Sequence, residues 1–384
     1  MLRRYLTFLM IVILLASCAQ DDPKPTAPKT TLAPTFTPAP QTLLIWHPFD
    51  EPAQTALQKI VTDFIAQNPQ ITITLEYVDP DALPDQLFDA VIQNGAGPDL
   101  IFGPLTWIPR LADQGLLEPI YTDVRRKLTD QLPEALLTAT EYADTDYGVP
   151  FAAEFTTLYY NTTLVATVPT VFEDFATENG NIVAAPDFFT LSGLYFDMGN
   201  LLLDAAGGTL VTTSGVESFL TQVQKLAPSF TFTDDYSAFT NGERPFLLAS
   251  SNEYPTLKAA LGDQLAVAIL PRIGGSAWRT LIIPQIVMES VNITASSREA
   301  AGQFLMYLLS PDAQRSWFEN TGQAPVNVAG MEEVQAAWGS TLSFGVSAPV
   351  FELYNTAIRA GLDEAIRAVV VERQEPSEAA KIDD

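Results

Sequence analysis

From Leu43 onward, short apolar runs alternate with helical patterns, and this alternation restricts the fold more than any other feature of the chain. Leu43-Leu44-Ile45-Trp46 is nearly continuous in apolar character, as buried parallel strands are. In Glu51 to Gln67, Leu57, Ile60, Val61 and Phe64 recur at helical spacing, so one face of a helix is apolar, and Pro69 stops it. Ile71 to Tyr77 alternates strictly, which predicts a strand with one polar face. Gln86 to Asn94 is helical and ends at Gly95 and Gly97, and Asp99 to Phe102 is a further strand. Strand, helix, strand, helix, strand predicts a βαβ sheet with helices on its faces.

The same scheme continues. Thr157–Asn161, Ile182–Ala185, Phe246–Ala249, Leu265–Leu270 and Leu281–Met288 have strand length and composition; Pro284 assigns the last to an edge or a bend. Ser192–Ala205, Val216–Leu226, Arg298–Leu309 and Val350–Val371 are predicted helices. Ser310-Pro311 reads as an N-cap followed by proline at the first position of a helix over Asp312–Asn320. The chain of 384 residues is long enough for two lobes.

The N-terminus is different. Two arginines within Met1–Arg4 precede an apolar run, Tyr5–Leu15, and then Ala16, Ser17 and Cys18. That order is the layout of a secretory signal, and the run is shorter than the roughly 20 residues a membrane span needs. Leu15-Ala16-Ser17-Cys18 resembles the lipobox of bacterial lipoproteins, which implies cleavage after residue 17 and a lipid on the Cys18 sulfur. Asp21–Thr42 holds six prolines and six threonines in 22 residues. It is predicted to be an extended tether with a reach of roughly 70 Å at ~3.1 Å per residue. The expected location is extracytoplasmic, lipid-anchored at a bacterial cell membrane.

Composition excludes several classes of function. Lys and Arg total 20 against 46 Asp and Glu, which disfavours nucleic acid and polybasic membrane binding. One histidine and one cysteine leave no material for a Cys/His metal site, so neither metal nor cofactor is expected.

Several segments, in order, resemble the maltose-binding-protein-like (family 1) extracellular solute-binding proteins. Gly97-Pro98-Asp99-Leu100-Ile101-Phe102 is similar to the family's G-x-P-D segment, and Ala112–Ile120 to its A-x-x-G-L-L stretch. Tyr147–Glu154 with Leu158-Tyr159-Tyr160-Asn161, Ala238–Glu243, Ala300–Pro311 and Glu375–Ala380 resemble four further family segments. The resemblance implies an α/β fold of two lobes, of the periplasmic-binding-protein type II, whose hinge the chain crosses three times, near 152–157, 268–272 and 322–327. Lobe one would comprise 43–152 and 272–322, and lobe two 157–268 and 327–384, after a signal over 1–17 and a tether over 18–42. It further implies a monomer that closes over a small solute, expected to be a carbohydrate, and docks on the transmembrane subunits of an ABC permease.

Sugar sites combine aromatic faces for C–H surfaces with carboxylates and amides for hydroxyl groups, placed on loops at strand ends. The loop after the first strand offers His47, Phe49, Asp50 and Glu51; Asp50 has the second reading of a helix cap, and His47 that of a packed core residue. Trp107 follows the strand ending at Phe102, and Glu154 sits at the first crossing. Asp187 and Phe188 follow Ile182–Ala185, and Asn252, Glu253 and Tyr254 follow Phe246–Ala249. Trp278, Arg279 and Tyr354 complete the expected ligand-binding set, with no catalytic residue among them. Three rivals remain: a binding protein for a polyamine or other cationic solute, favoured by the acids; a surface adhesin or sensor that uses the same fold without a transporter; and a secreted carbohydrate-active enzyme using a carboxylate pair such as Glu154 and Asp50. No G-x-S-x-G, H-E-x-x-H or P-loop motif supports the enzyme.

Overall fold

The computed structural model describes residues 41–177, 181–273 and 275–381. The signal, Cys18 and nearly all of the expected tether lie outside the described residues. Strand β1 (Gln41–His47) starts two residues before the expected body boundary. It is followed by α1 (Ala53–Gln67), β2 (Ile71–Tyr77), α2 (Leu83–Phe88), β3 (Leu100–Pro104) and α3 (Trp107–Asp113). The apolar stripe of α1 is the one the sequence predicts: Leu57, Ile60, Val61 and Phe64 are all buried. After α2 the chain widens into a π-helical turn over Asp89–Gln93 and leaves it through Gly95, whose φ of 62° suits a residue without a side chain.

β4 (Gly148–Asn161) is longer than the predicted Thr157–Asn161 strand and runs through the centre of the molecule. β5 (Ile182–Ala184) leads into α4 (Phe188–Asp197), which begins four residues earlier than predicted. Every residue of α4 from Phe188 to Phe196 is buried, so no polar face marks its start. Asp187 caps it by accepting a hydrogen bond from the Thr190 N–H at 2.7 Å. Then come α5 (Thr213–Leu226), β6 (Phe230–Phe232), β7 (Phe246–Ser250), α6 (Tyr254–Leu261) and β8 (Leu265–Ala268).

β9 (Leu281–Ser290) precedes α7 (Ala295–Leu308), α8 (Pro311–Thr321), β10 (Ala324–Pro325), α9 (Gln335–Phe344) and α10 (Arg359–Val370). Ser310 caps α8 by accepting from the Ala313 N–H. The long helix predicted over 350–371 is instead a π-helical turn, Tyr354–Ile358, joined to α10.

The main sheet has the path β2-β1-β3-β9-β4-β7-β5-β6. Its two wings, β2-β1-β3 and β7-β5-β6, are parallel, and β9 and β4 join them through antiparallel pairs. β4 pairs with β9 as far as Phe155 and with β7 from Thr156, so one strand serves both wings. β9 is therefore central, so of the edge or bend expected at Pro284 the edge is corrected. Pro284 pairs with Ala153 inside the sheet, and the register slips just after it, between Gln285 and Ile286. That bulge absorbs the missing N–H.

The cores follow the wings. Phe49, Phe102, Phe151 and Trp317 meet edge to face, with centroids 5.0–6.2 Å apart, beside the first wing. Phe188, Tyr195 and Phe219 pack together beside the second.

Candidate functional site

Glu154 stands on β4 one residue before its partner strand changes. The last residue of β7, Ser250, donates its hydroxyl to Glu154 Oε1 at 2.7 Å and accepts from the Asn252 N–H at 3.1 Å. The carboxylate is thus positioned by a turn at the strand end, which is where open α/β sheets present ligand groups.

Tyr354 occupies the same neighbourhood. It is 1% exposed, and its hydroxyl has no hydrogen-bond partner. Burial raises its pKa far above the ordinary phenol value; Asp363, Asp187 and Glu154 add to the rise and Arg359 opposes it. Asp363 is itself raised by burial, while the Phe188 N–H, donating to it at 2.6 Å, opposes the shift. Arg359 lies over the Phe189 ring, 5.9 Å from its centroid, and is ion-paired with Asp363 at 3.9 Å. Tyr236 is pushed up to about 12 by burial, then by Glu253, Asp187 and Asp234.

The structure therefore brings Glu154, Asp187, Asn252, Glu253 and Tyr354 into one polar wall. Tyr236, Ser250, Arg359 and Asp363 belong to it as well, and sequence reasoning missed them. The Arg359–Asp363 spacing of four was visible, but it reads as an ordinary surface pair on a helix. Nothing around Tyr236 distinguishes it in the sequence.

On the other wing, Asp50 and Glu51 are exposed in the loop after β1. Asp50 does not cap α1: the N-cap position is Pro52, with no side-chain hydrogen bond. The Asp50 carboxylate instead lies beside the Tyr77 hydroxyl, whose pKa is raised by desolvation, then by Asp50 and Asp79. His47 is buried, stacked on Phe49 at 5.8 Å, and its Nδ1 accepts from the Phe49 N–H at 3.3 Å. Burial lowers its pKa, so the ring is neutral and fixes the loop. Trp107, at the start of α3, is half-buried and packs against Gly103, where a Cβ would come within 2.4 Å of its ring.

Four of the expected residues, Phe49, Phe188, Tyr254 and Trp278, are turned into packing, and the fifth, Arg279, faces a groove. Phe49 and Phe188 point into the two aromatic cores and leave no face open. Tyr254 packs against Phe318 and Trp338. Trp278 is buried on Gly193 of α4, so closely that a Cβ there would overlap the indole, and it also packs on Phe172. Arg279 is exposed and lines a groove of about 720 Å³ with Glu141 and Asp144, which precede β4, and Asp204 and Phe351, which follow it. In each case the local element was legible, while the direction of the side chain depends on packing with distant residues.

Residues 59–339 match the family described as bacterial extracellular solute-binding protein. The chain belongs to this family. An extracytoplasmic location follows from that membership. Among relatives, this solute-binding protein is 26% identical over 247 residues to a maltotriose-binding protein of Pyrococcus abyssi. The match takes in 60% of the present chain and 54% of the relative, so it spans about half the relative's length. A solved cyclo/maltodextrin-binding protein complexed with maltotetraose superposes with a TM-score of 0.74 at 21% identity, covering 91% of this chain and 96% of that one. The cyclic α-maltosyl-1,6-maltose-binding protein of Arthrobacter globiformis gives 0.69 at 19% identity, with coverage of 90% and 97%. These likenesses establish the two-lobed type II fold.

Proposed function

We propose that this solute-binding protein captures a carbohydrate between its lobes and delivers it to the transmembrane subunits of an ABC importer. The observation that carries this reading is the wall around Tyr354: a buried hydroxyl without a partner, surrounded by Glu154, Asp187 and Asp363. Such a group is costly to leave unsatisfied, and a ligand hydroxyl satisfies it. Asp50, Glu51 and Trp107 supply the opposite wall, with Trp107 as the stacking face. The sugars named for the Pyrococcus relative and for the solved structures fix the class to test first.

The hinge in this reading lies in β4 at Phe155–Thr156, where the partner strand changes. The other two crossings lie after β8 and near β10. Closure is a population shift: the ligand adds contacts from the second wall only in the closed form. Residues 1–17 act as the signal, and a lipid on Cys18 with the proline-rich tether holds the monomeric body at the membrane.

The test is isothermal titration with maltotriose and maltotetraose, followed by product analysis after hours of incubation. Saturable binding of an intact sugar supports the reading. Cleaved sugar places the protein among enzymes instead, and binding of spermidine with no saccharide bound supports a cationic solute.

A further inference from the structure

The three carboxylates nearest the proposed sugar position on the second wall, Glu154, Asp187 and Glu253, have no ion-pair partner among the described residues. The two guanidiniums at this wall are already engaged, Arg359 with Asp363 at 3.9 Å and Arg367 with Asp234 at 3.3 Å. Asp50 and Glu51, on the loop assigned to the opposite wall, also lack an ion-pair partner among the described residues. Closing the lobes removes water from these acids. Desolvating a carboxylate is expensive unless a positive charge comes with it, and among the described residues the two guanidiniums at this wall already face other carboxylates. The buried, unpartnered Tyr354 hydroxyl marks the same wall as incomplete without a ligand.

We infer that the solute is a saccharide carrying a basic nitrogen, an amino sugar, whose ammonium sits among Glu154, Asp187 and the Tyr354 hydroxyl. This deepens the carbohydrate reading and rests on it. An ammonium offers three donors and no acceptor, which matches a wall made mostly of acceptors. Its hydrogen bonds to carboxylates are charge-assisted and stronger than those of a neutral hydroxyl. The sugar body still meets Trp107.

The experiment is isothermal titration of the protein with four probes: the β-1,4-linked glucosamine trimer, cellotriose, maltotriose and spermidine. Cellotriose has the same linkage and differs at each ring by a hydroxyl in place of the amine. The expected result is that the glucosamine trimer binds at least tenfold more tightly than either neutral trisaccharide. Its advantage should shrink at high salt, and the ratio of its affinity to that of cellotriose should fall at least fivefold in Glu154→Gln, whatever that variant does to both affinities. Neutral trisaccharides that bind as tightly as the amine overturn this inference and leave the carbohydrate reading in place. Spermidine alone binding, or none of the four, overturns both.

Discussion

Glu289→Gln should flatten part of the pH dependence of stability. Glu289 lies in β9 and is 0% exposed. Its nearest cation is Arg298, with Nε at 3.5 Å, and Arg298 also bonds Glu118 at 3.0 Å. Burial pushes the Glu289 carboxyl up from 4.5 to about 7; Arg298 and the Tyr121 N–H oppose the rise, and Glu118 adds to it. Because the folded pKa is above the unfolded one, the folded state binds the proton more tightly. The stability this contributes is complete below 4.5 and is lost as pH rises through 7. At about 1.4 kcal/mol per pH unit, the gap is worth about 3 kcal/mol in all, of which about 2–3 kcal/mol falls between pH 5 and pH 8. Glutamine has no such titration. Arg298 stays charged throughout this window, so losing its partner is a pH-independent offset. Urea unfolding of both proteins at pH 5, 6, 7 and 8 reads the effect. The variant should gain on wild type by about 2–3 kcal/mol between the ends of the series. A constant difference at all four pH values would refute the burial of a carboxyl at this point.

Three further outcomes are expected. Gly193→Ala places a methyl group inside the Trp278 indole, and because Trp278 is buried the clash cannot relax into solvent; unfolding should show a loss of about 1–3 kcal/mol, with an altered tryptophan emission. Trp107→Ala should weaken saccharide binding about tenfold while circular dichroism stays unchanged, since its ring is half-buried and its helix short; wild-type affinity would remove it from the site. Cys18→Ser should move the protein from the detergent phase to the aqueous phase on partitioning of cells that express it, and retention in the detergent phase would remove the lipid anchor from the account.

Parts of this protein were legible from sequence because local pattern and tertiary environment agree. The α1 stripe of Leu57, Ile60, Val61 and Phe64 is one such case, and Ser310-Pro311 at the start of α8 is another. Legibility failed where burial is all-round. Phe188 to Phe196 has no polar face, so the pattern puts the start of its helix four residues late, at Ser192. Pro284 left an edge and a bend open, and only the partner strand reveals which: the strand is central and its register slips just after the proline. Glu154 stood out because it falls at the first crossing that the family resemblance implies, and the structure places it inside β4, a strand longer than the pattern from Thr157 showed. Trp278 and Arg279 are adjacent in sequence, yet one is locked onto α4 and the other faces an open groove. Only long-range packing decides between those directions, and the same is true of Tyr236 and Asp363.

The central claim is that two walls, each inadequate alone, close on a saccharide. Small-angle scattering of the protein, with and without saturating glucosamine trimer or maltotriose, tests it most directly. The account predicts a smaller radius of gyration with at least one of the sugars and a loss of that contraction in Glu154→Ala. Identical profiles with sugar bound, confirmed by titration in the same buffer, would contradict it.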